Sequence, residues 1–337
     1  MYTEYYGLTD RPFQLTPDPR FYFNSATHRK AMAYLGYGLA QGEGFIVITG
    51  DIGAGKSTLV AHLMATIDRA RLTVAQLVST QVAGDDMLRL AAQGFGVPSE
   101  GLSKARLLDR VEQFLQEQAA SGKRSLLIVD EAQNLEMSAL EELRMLSNFQ
   151  SGNQSLLQIF LLGQPEFRER LQEAEGLEQL RQRVIATHHL EPMGAEEVEP
   201  YIVHRLTRAD WQGNPQFTAE AYSAIHQWSG GVPRRLNTLA SRILLHGALE
   251  HLDRITEEDV ALVITDMANE GVRENAAGLA DVMLDAEAQW IARVENLEAR
   301  LEEQDAAIRR VLTLLVDWIE REEPAPSRQA LSRIHAA

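Results

Sequence analysis

Apolar and polar residues follow two different periods along the first two thirds of the chain. Short apolar runs predict buried strands, and apolar residues three or four positions apart predict amphipathic helices. The predicted strands are Phe45–Thr49, Thr73–Val78, Ser125–Val129, Leu157–Leu162 and Thr187–Leu190. The helical patterns between them are Ser57–Ile67, Asp85–Gln93, Ser103–Gln118 and Ser138–Phe149. This alternation predicts an α/β domain over residues 41–193, with a parallel sheet flanked by helices.

The strand pattern stops at about Gly194. Four helical segments follow, at Glu196–Thr207, Thr218–Trp228, Pro233–Leu249 and Thr256–Asn269. Threonine is a favoured residue at helix N-caps, and it is the first residue of two of these segments. We therefore predict a small all-helical lid domain over residues 194–272. Residues 1–40 precede the α/β domain and are expected to form an aromatic and proline-rich strap followed by a helix.

In the C-terminal part of the chain, apolar residues follow a seven-residue repeat. Between Trp290 and Trp318, apolar residues recur at alternating spacings of four and three, with Gln304 as a polar position in the series. This spacing predicts an acidic amphipathic helix or coiled coil over residues 279–323. One long helix that packs back on its own protein remains an alternative. The proline-containing residues 324–337 are expected to form a disordered tail.

A glycine-rich segment lies between the first strand and the helix after it. Its sequence is Gly50-Asp51-Ile52-Gly53-Ala54-Gly55-Lys56-Ser57, which fits the phosphate-binding P-loop pattern G-x-x-x-x-G-K-[ST]. Glycines let backbone N–H groups converge on a phosphate, and the helix start adds partial positive charge. We expect these residues and Thr58 to bind ATP, with Lys56 at the β- and γ-phosphates and Ser57 at Mg²⁺.

A second motif ends the third predicted strand. The apolar run there finishes in Asp130-Glu131, which places two carboxylates at the sheet edge where α/β proteins bind ligands. We predict that Asp130 holds the Mg²⁺ that Ser57 also binds, and that Glu131 orients and polarises the attacking water. The two motifs together indicate a nucleoside triphosphatase.

Three further positions have the chemistry of a phosphate site. Gln164 follows the fourth strand and is a candidate sensor of the γ-phosphate. Arg181 and Arg183 precede the fifth strand, and either could be an arginine finger supplied to a neighbouring subunit. Arg234 follows Gly-Val-Pro at the start of a lid helix and is expected to project towards the phosphates.

Composition narrows the function further. The chain has 337 residues, no cysteine and a formal net charge of −16. From Glu257 onward there are 18 acidic and eight basic residues, so the acidity is concentrated at the C-terminal end. An acidic chain is a poor candidate for nonspecific nucleic-acid binding. The sequence has no recognisable signal peptide and no long apolar run. We therefore expect a cytoplasmic protein without a membrane span.

The motifs together resemble AAA+ ATPases of the ExeA, or general secretion pathway A, family over about residues 1–270. The segments that carry the resemblance are Tyr6-Gly7-Leu8, Arg11-Pro12-Phe13, the P-loop, Asp130-Glu131-Ala132-Gln133-Asn134-Leu135, Gly163-Gln164-Pro165-Glu166 and Gly231-Val232-Pro233-Arg234. Two further segments are His28-Arg29-Lys30-Ala31-Met32-Ala33-Tyr34-Leu35 and Gln76-Leu77-Val78-Ser79-Thr80-Gln81. They look most similar to ATPases of exosortase/PEP-CTERM gene clusters, which are associated with exopolysaccharide production and protein export.

The resemblance implies roles and partners. Lys56 and Ser57 match the Walker A positions, Asp130 and Glu131 match Walker B, and Gln164 and Arg234 match sensors 1 and 2. Arg181 and Arg183 lie where the family would place its arginine finger. It also implies a homo-oligomer that serves envelope, secretion or exopolysaccharide machinery through the C-terminal helix.

Secretion-type members continue into a transmembrane helix and a peptidoglycan-binding domain, and here an acidic helix takes that place. We therefore expect any membrane association to be peripheral, at the inner membrane, and to depend on a partner.

Two other functions remain open. A DNA-targeting ATPase of the transposition type would need a basic groove, which the acidic balance disfavours. A nucleotide-gated scaffold with little turnover would not need Glu131, which is present.

Overall fold

The computed structural model describes residues 2–78, 83–152, 154–174 and 176–270. The chain divides into two units, Met1–Thr265 and Asp266–Ala337. In the second unit only residues 266–270 are described, and they are helical. The predicted helix or coiled coil at 279–323 and the tail at 324–337 therefore lie outside the described residues.

Nine strands and eleven helices have defined bounds among the described residues. The strands are β1 Phe45–Gly50, β2 Leu72–Val78, β3 Arg124–Asp130, β4 Gln150–Ser151, β5 Gln154–Ser155, β6 Leu157–Gly163, β7 Val184–Leu190, β8 Gln216–Phe217 and β9 Arg254–Ile255. The helices are α1 Tyr2–Tyr5, α2 Ala26–Gln41, α3 Lys56–Thr66, α4 Gly84–Gly94, α5 Lys104–Ala120, α6 Met137–Leu146, α7 Pro165–Glu173, α8 Glu178–Arg181, α9 Ala195–Thr207, α10 Ala219–Ser229 and α11 Pro233–Leu249. Residues 257–270 are also helical.

Five strands form one parallel sheet in the order β2-β3-β6-β1-β7. The α/β prediction is thus confirmed, and in the observed order β6 lies between β1 and β3. Along β1, Phe45 and Val47 enter the core on one face, while Ile46 and Ile48 enter the core on the other. Because both faces are covered, the strand is a continuous apolar run and not an alternating one.

The two faces are covered by different helices. Buried residues of α4, α5, α6 and α7 pack with one face, and buried residues of α2 and α3 pack with the other. In a parallel sheet, the loops that bind ligands follow the carboxyl ends of the strands. The P-loop after β1 and the two acidic residues at the end of β3 therefore lie at the same edge of the sheet.

Three predictions of local structure need correction. β7 begins at Val184 and not at Thr187; the prediction missed its first three residues, which are apolar but only half-buried at the edge of the sheet. Helix α7 was not predicted, since its surface is mostly polar. The region after Gly194 is not all-helical, because β8 and β9 form a short parallel pair within it.

The N-terminal strap contacts the helices after Gly194 as well as the sheet domain. The Tyr6 hydroxyl donates to the carbonyl oxygen of Leu252 at 3.0 Å. The Arg205 Nε donates to the carbonyl oxygen of Pro12 at 2.5 Å, and its guanidinium lies over the rings of Phe13 and Phe21. The strap thus ties the lid helices to the α/β domain, which the sequence pattern did not predict.

Candidate functional site

The P-loop connects β1 to α3 through backbone conformations that favour glycine. Gly53 has φ +88° and Gly55 has φ +95°, values that a side chain with a Cβ rarely adopts. Among the described residues, no side chain caps the start of α3 at Gly55. The N–H groups of the first turn are therefore oriented to receive an anion, and the helix dipole adds to the attraction.

Lys56 is largely buried beneath this loop, with 7% of its surface exposed. Its Nζ donates to the carbonyl oxygens of Gly50 at 2.6 Å and Asp51 at 3.0 Å. Burial lowers the pKa of Lys56, while the charges of Glu131 and Asp130 oppose that shift. The ammonium group thus lies among backbone oxygens and carboxylates at the end of β1, within the predicted phosphate site.

Ser57 and Asp130 come together from opposite sides of the site. Ser57 Oγ donates to Asp130 Oδ2 at 3.2 Å, although 73 residues separate them. Burial raises the pKa of Asp130, and the N–H of Glu131 opposes the shift by donating to Oδ1. A hydroxyl beside a buried carboxylate is the donor set that Mg²⁺ takes at a P-loop. The residues present therefore fit the predicted metal.

Glu131 follows β3 in the left-handed region, with φ 55° and ψ 43°. Two amides converge on its Oε2: Gln133 Nε2 donates at 2.5 Å and Gln164 Nε2 at 3.4 Å. The backbone N–H of Gln164 in turn donates to Gln133 Oε1 at 3.0 Å. The structure thus brings Gln164 to Glu131, and it adds Gln133, which we did not predict although it lies within the motif that carries the resemblance.

The lid reaches the P-loop through the start of α11. The N–H of Arg234 donates to the carbonyl oxygen of Gly53 at 3.2 Å. A Cβ on Gly53 would lie 2.5 Å from the Cβ of Arg234. Arg234 is therefore placed beside the phosphate-binding loop, as its position after Gly-Val-Pro suggested.

A cavity of about 390 Å³ lies between the P-loop, the strap and the lid helices. The P-loop side is lined by Gly53, Gly55, Lys56, Ser57 and Thr58, and Glu131 and Gln164 also border the cavity. The strap contributes Leu15, Pro17 and Phe23, and the lid contributes Tyr201, Arg205 and Asn237. The cavity thus offers a polar phosphate end and a second region lined by apolar and amide-bearing side chains.

Two buried groups in this region were missed by sequence reasoning. Tyr201 donates through its hydroxyl to Asn237 Oδ1 at 2.7 Å and receives a bond from Arg205 at 3.0 Å. His28, on α2, is 6% exposed, and a Cβ on Gly55 would lie 2.9 Å from its Nε2. No local motif marks these positions, because they come from separate elements that only the tertiary fold brings together.

Arg181 and Arg183 do not lie at this site in the same chain. Arg181 donates to the carbonyl oxygen of Gln172 and pairs with Glu178 at 2.7 Å. Arg183 donates to the carbonyl oxygen of Ser147 at 3.1 Å, and its own carbonyl oxygen accepts from Phe45 at the start of β1. The six residues of β1 place this edge roughly 17 Å from the P-loop. Both arginines are therefore engaged away from the P-loop of their own chain.

The sheet order and the loop between β1 and α3 together define a P-loop fold of the AAA type. Residues 39–171 match the family model described as AAA domain. The chain is 33% identical over 285 residues to General secretion pathway protein A of Aeromonas hydrophila, which covers 84% of this chain. The chain spans about half the length of that relative, 51%.

Solved structures show the same fold at low sequence identity. The ORC2 protein of Aeropyrum pernix in its ADPNP–ADP complexes has a TM-score of 0.56 and 17% identity, covering 76% of this chain and 71% of that one. Drosophila ORC bound to DNA has a TM-score of 0.55 and 15% identity, over 76% of this chain and 64% of that one. Cdc6p from Pyrobaculum aerophilum has a TM-score of 0.53 and 16% identity, over 77% and 71%. These similarities establish the fold alone.

Among the residues that the structure describes, no helix combines the length and the apolar character needed to cross a bilayer.

Proposed function

We propose that this protein binds ATP with Mg²⁺, hydrolyses it to ADP and phosphate, and uses the change to move the lid helices against the P-loop. The observation that carries the proposal is the single cavity bordered by Lys56, Ser57, Glu131, Gln164 and Arg234. A phosphate-binding loop alone would support binding only. A carboxylate beside a sensor amide and a lid arginine supports hydrolysis coupled to movement.

Each residue has a task in the proposed reaction. The P-loop N–H groups and Lys56 would bind the phosphates, while Ser57 and Asp130 would hold Mg²⁺, which neutralises charge that develops during transfer. Glu131 would orient the attacking water and accept its proton. Gln164 would contact the γ-phosphate or that water. Arg234 would contact the phosphates from the lid. Arg181 or Arg183 of a neighbouring subunit would complete the site.

The apolar end of the cavity supports a nucleobase as its occupant. Leu15, Pro17 and Phe23 would pack on the base, and Asn237 would offer amide hydrogens to its edge. The sequence lacks the guanine-specific pattern [NT]-K-x-D, and we therefore propose ATP in preference to GTP.

The similarity to General secretion pathway protein A supports a finer proposal. We propose that a homo-oligomer couples nucleotide state to assembly or export at the bacterial cell envelope. The exosortase/PEP-CTERM and exopolysaccharide systems are the proposed settings. The protein would be cytoplasmic and would bind envelope machinery through residues 279–323, reaching the inner membrane only through that partner. Nucleic acid is not among the proposed partners.

The test is ATP turnover as a function of protein concentration, with and without double-stranded DNA. A rate per subunit that rises with concentration and ignores DNA would support an oligomeric ATPase of the proposed type. Strong stimulation by DNA would replace the envelope proposal with a DNA-targeting one. Nucleotide binding with negligible turnover at every concentration would favour a nucleotide-gated scaffold.

A further inference from the structure

Gln133 bridges the two loops that carry Glu131 and Gln164. It lies in the short 3-10 turn Ala132–Asn134 that follows β3 and Glu131. Its amide donates to Glu131 Oε2 at 2.5 Å and accepts from the N–H of Gln164 at 3.0 Å. One planar side chain thus holds a carboxylate from the loop after β3 and a backbone amide from the loop after β6.

The bridge acts on a residue whose backbone is otherwise strained. Glu131 adopts a positive φ. For any residue other than glycine this conformation is unfavourable in free energy, and the surrounding structure must offset the cost. If the Gln133 amide were removed, Gln164 Nε2 at 3.4 Å would be the one remaining donor to Glu131 Oε2 among the described residues. A side chain held by one long hydrogen bond can take other rotamers.

The bridge also fixes the start of α7. Gln164 is the N-cap residue of this helix, and its own side chain makes no capping hydrogen bond to the first turn. The acceptor for the Gln164 N–H is the Gln133 side chain, and Arg170 of α7 donates back to the Gln133 carbonyl oxygen at 3.3 Å. Gln133 is therefore joined to α7 at two points about one and a half turns apart.

We infer that Gln133 is a positioning residue: it fixes the position of Glu131 relative to Gln164 at the phosphate end of the cavity. This inference rests on the proposed ATP hydrolysis for its consequence, though not for its geometry. Both amide donors occupy Oε2, which assigns Oε1 to the attacking water. A carboxylate that is displaced by about 1 Å can lower the rate of the chemical step by about 100-fold while binding is retained.

The test uses Gln133→Met, which keeps the length of the side chain and removes its hydrogen bonds. Gln113→Met is the matched control, because Gln113 donates to Glu117 at 3.1 Å on the exposed face of α5. The first measurement is amide hydrogen exchange at Gln164 in the nucleotide-free full-length protein. Pro165 follows Gln164 and has no N–H, which simplifies assignment of the exchanging site. We expect exchange at Gln164 to become about tenfold faster in Gln133→Met and to be unchanged in Gln113→Met.

The second measurement separates kcat from KM for ATP hydrolysis. We expect Gln133→Met to lower kcat by about 10- to 100-fold with KM within about twofold, while the control changes neither. Equal exchange at Gln164 in the wild type and Gln133→Met would overturn the inference. So would faster exchange with an unchanged kcat. If the wild type did not hydrolyse ATP, the proposed function would fail. The exchange result would still decide whether Gln133 holds the loops after β3 and β6 in a fixed position relative to each other.

Discussion

The backbone N–H of Arg234 lies 3.2 Å from the carbonyl oxygen of Gly53. The first turn of a lid helix therefore touches the loop that would bind phosphate. Any movement of the P-loop at Gly53 must move α11 or break this hydrogen bond. The contact gives the site a physical connection between an occupied phosphate subsite and the position of the lid.

We predict that Gly53→Ala weakens nucleotide binding by at least about tenfold. The new Cβ would lie 2.5 Å from the Cβ of Arg234, so α11 must shift, and the positive φ adds about 1–2 kcal/mol of backbone strain. Binding of a fluorescent ATP analogue measures the effect. Gly122→Ala is the control, because Gly122 has φ +77° and nothing lies within 4 Å of its Cβ position. Equal losses of affinity in the two variants would refute a specific role for the Gly53–Arg234 contact.

Lys56→Ala is expected to abolish measurable nucleotide binding. The ammonium group is already largely desolvated and positioned by the oxygens of Gly50 and Asp51, so the phosphates would meet it at little additional cost. Loss of a buried charged contact typically costs about 2–5 kcal/mol. Calorimetry with ATP and Mg²⁺ measures the change, and Lys123→Ala, at a partly exposed position directly before β3, is the control. Retention of wild-type affinity by Lys56→Ala would exclude the P-loop as the nucleotide site.

Glu131→Gln should preserve binding and remove turnover. The amide keeps the shape of the side chain but accepts no proton, and loss of a general base typically lowers kcat by about 100- to 10,000-fold. We therefore expect an ATP-bound assembly that persists, measured by size-exclusion chromatography with retained nucleotide. Unchanged turnover in this variant would show that another group activates the water.

The α/β fold and the turn of the P-loop followed from sequence because they depend on local signals. A continuous apolar run specifies a strand covered on both faces, and the spacing of Gly53, Gly55 and Lys56 specifies the turn into α3. The region that Tyr201, Arg205 and Asn237 line, by contrast, requires the strap to pack on α9 and α11. Such contacts depend on side-chain complementarity between elements about 190 residues apart, which no local period encodes. Gln133 was visible in the motif, but only the register of β3 and β6 shows which groups it joins.

Acid should destabilise the protein partly through His28. Burial lowers the pKa of His28 to about 4, whereas the unfolded chain takes up the proton near pH 6.5. The unfolded state thus binds more protons between these values, and stability falls as pH drops from about 6.5 towards 4. The full effect corresponds to roughly 3 kcal/mol. Thermal unfolding at pH 7.5 and pH 5 should show a smaller acid-induced loss in His28→Gln than in the wild type.

The wild-type slope also contains His62, His188 and His204, whose pKa values burial lowers as well. The informative quantity is therefore the difference between His28→Gln and the wild type. His226→Gln, at a partly exposed position on α10, is the control for the substitution itself. Identical acid sensitivity in His28→Gln and the wild type would contradict the assignment.

The position of Arg181 and Arg183 at the amino-terminal edge of the sheet leads to a mixing experiment. If one of them completes the site of a neighbouring subunit, the corresponding alanine variant should lose turnover while keeping ATP binding. Glu131→Gln should also be inactive alone. Mixed one to one, however, the two inactive variants can form sites with an intact Glu131 from one subunit and an intact arginine from the next. In a head-to-tail assembly roughly a quarter of the interfaces combine both.

Glu131→Gln is mixed separately with Arg181→Ala and with Arg183→Ala. We expect the mixture that contains the variant of the arginine acting in trans to recover up to about a quarter of the wild-type rate. A lost arginine contact of this kind lowers kcat by about 1,000-fold or more, so recovery is easily measured against either variant alone. Arg110→Ala, on the exposed face of α5, serves as the control and should be active without mixing. The arginine variant that loses activity and shows no recovery has a role within its own subunit, where Arg181 holds the end of α7 and Arg183 holds Ser147.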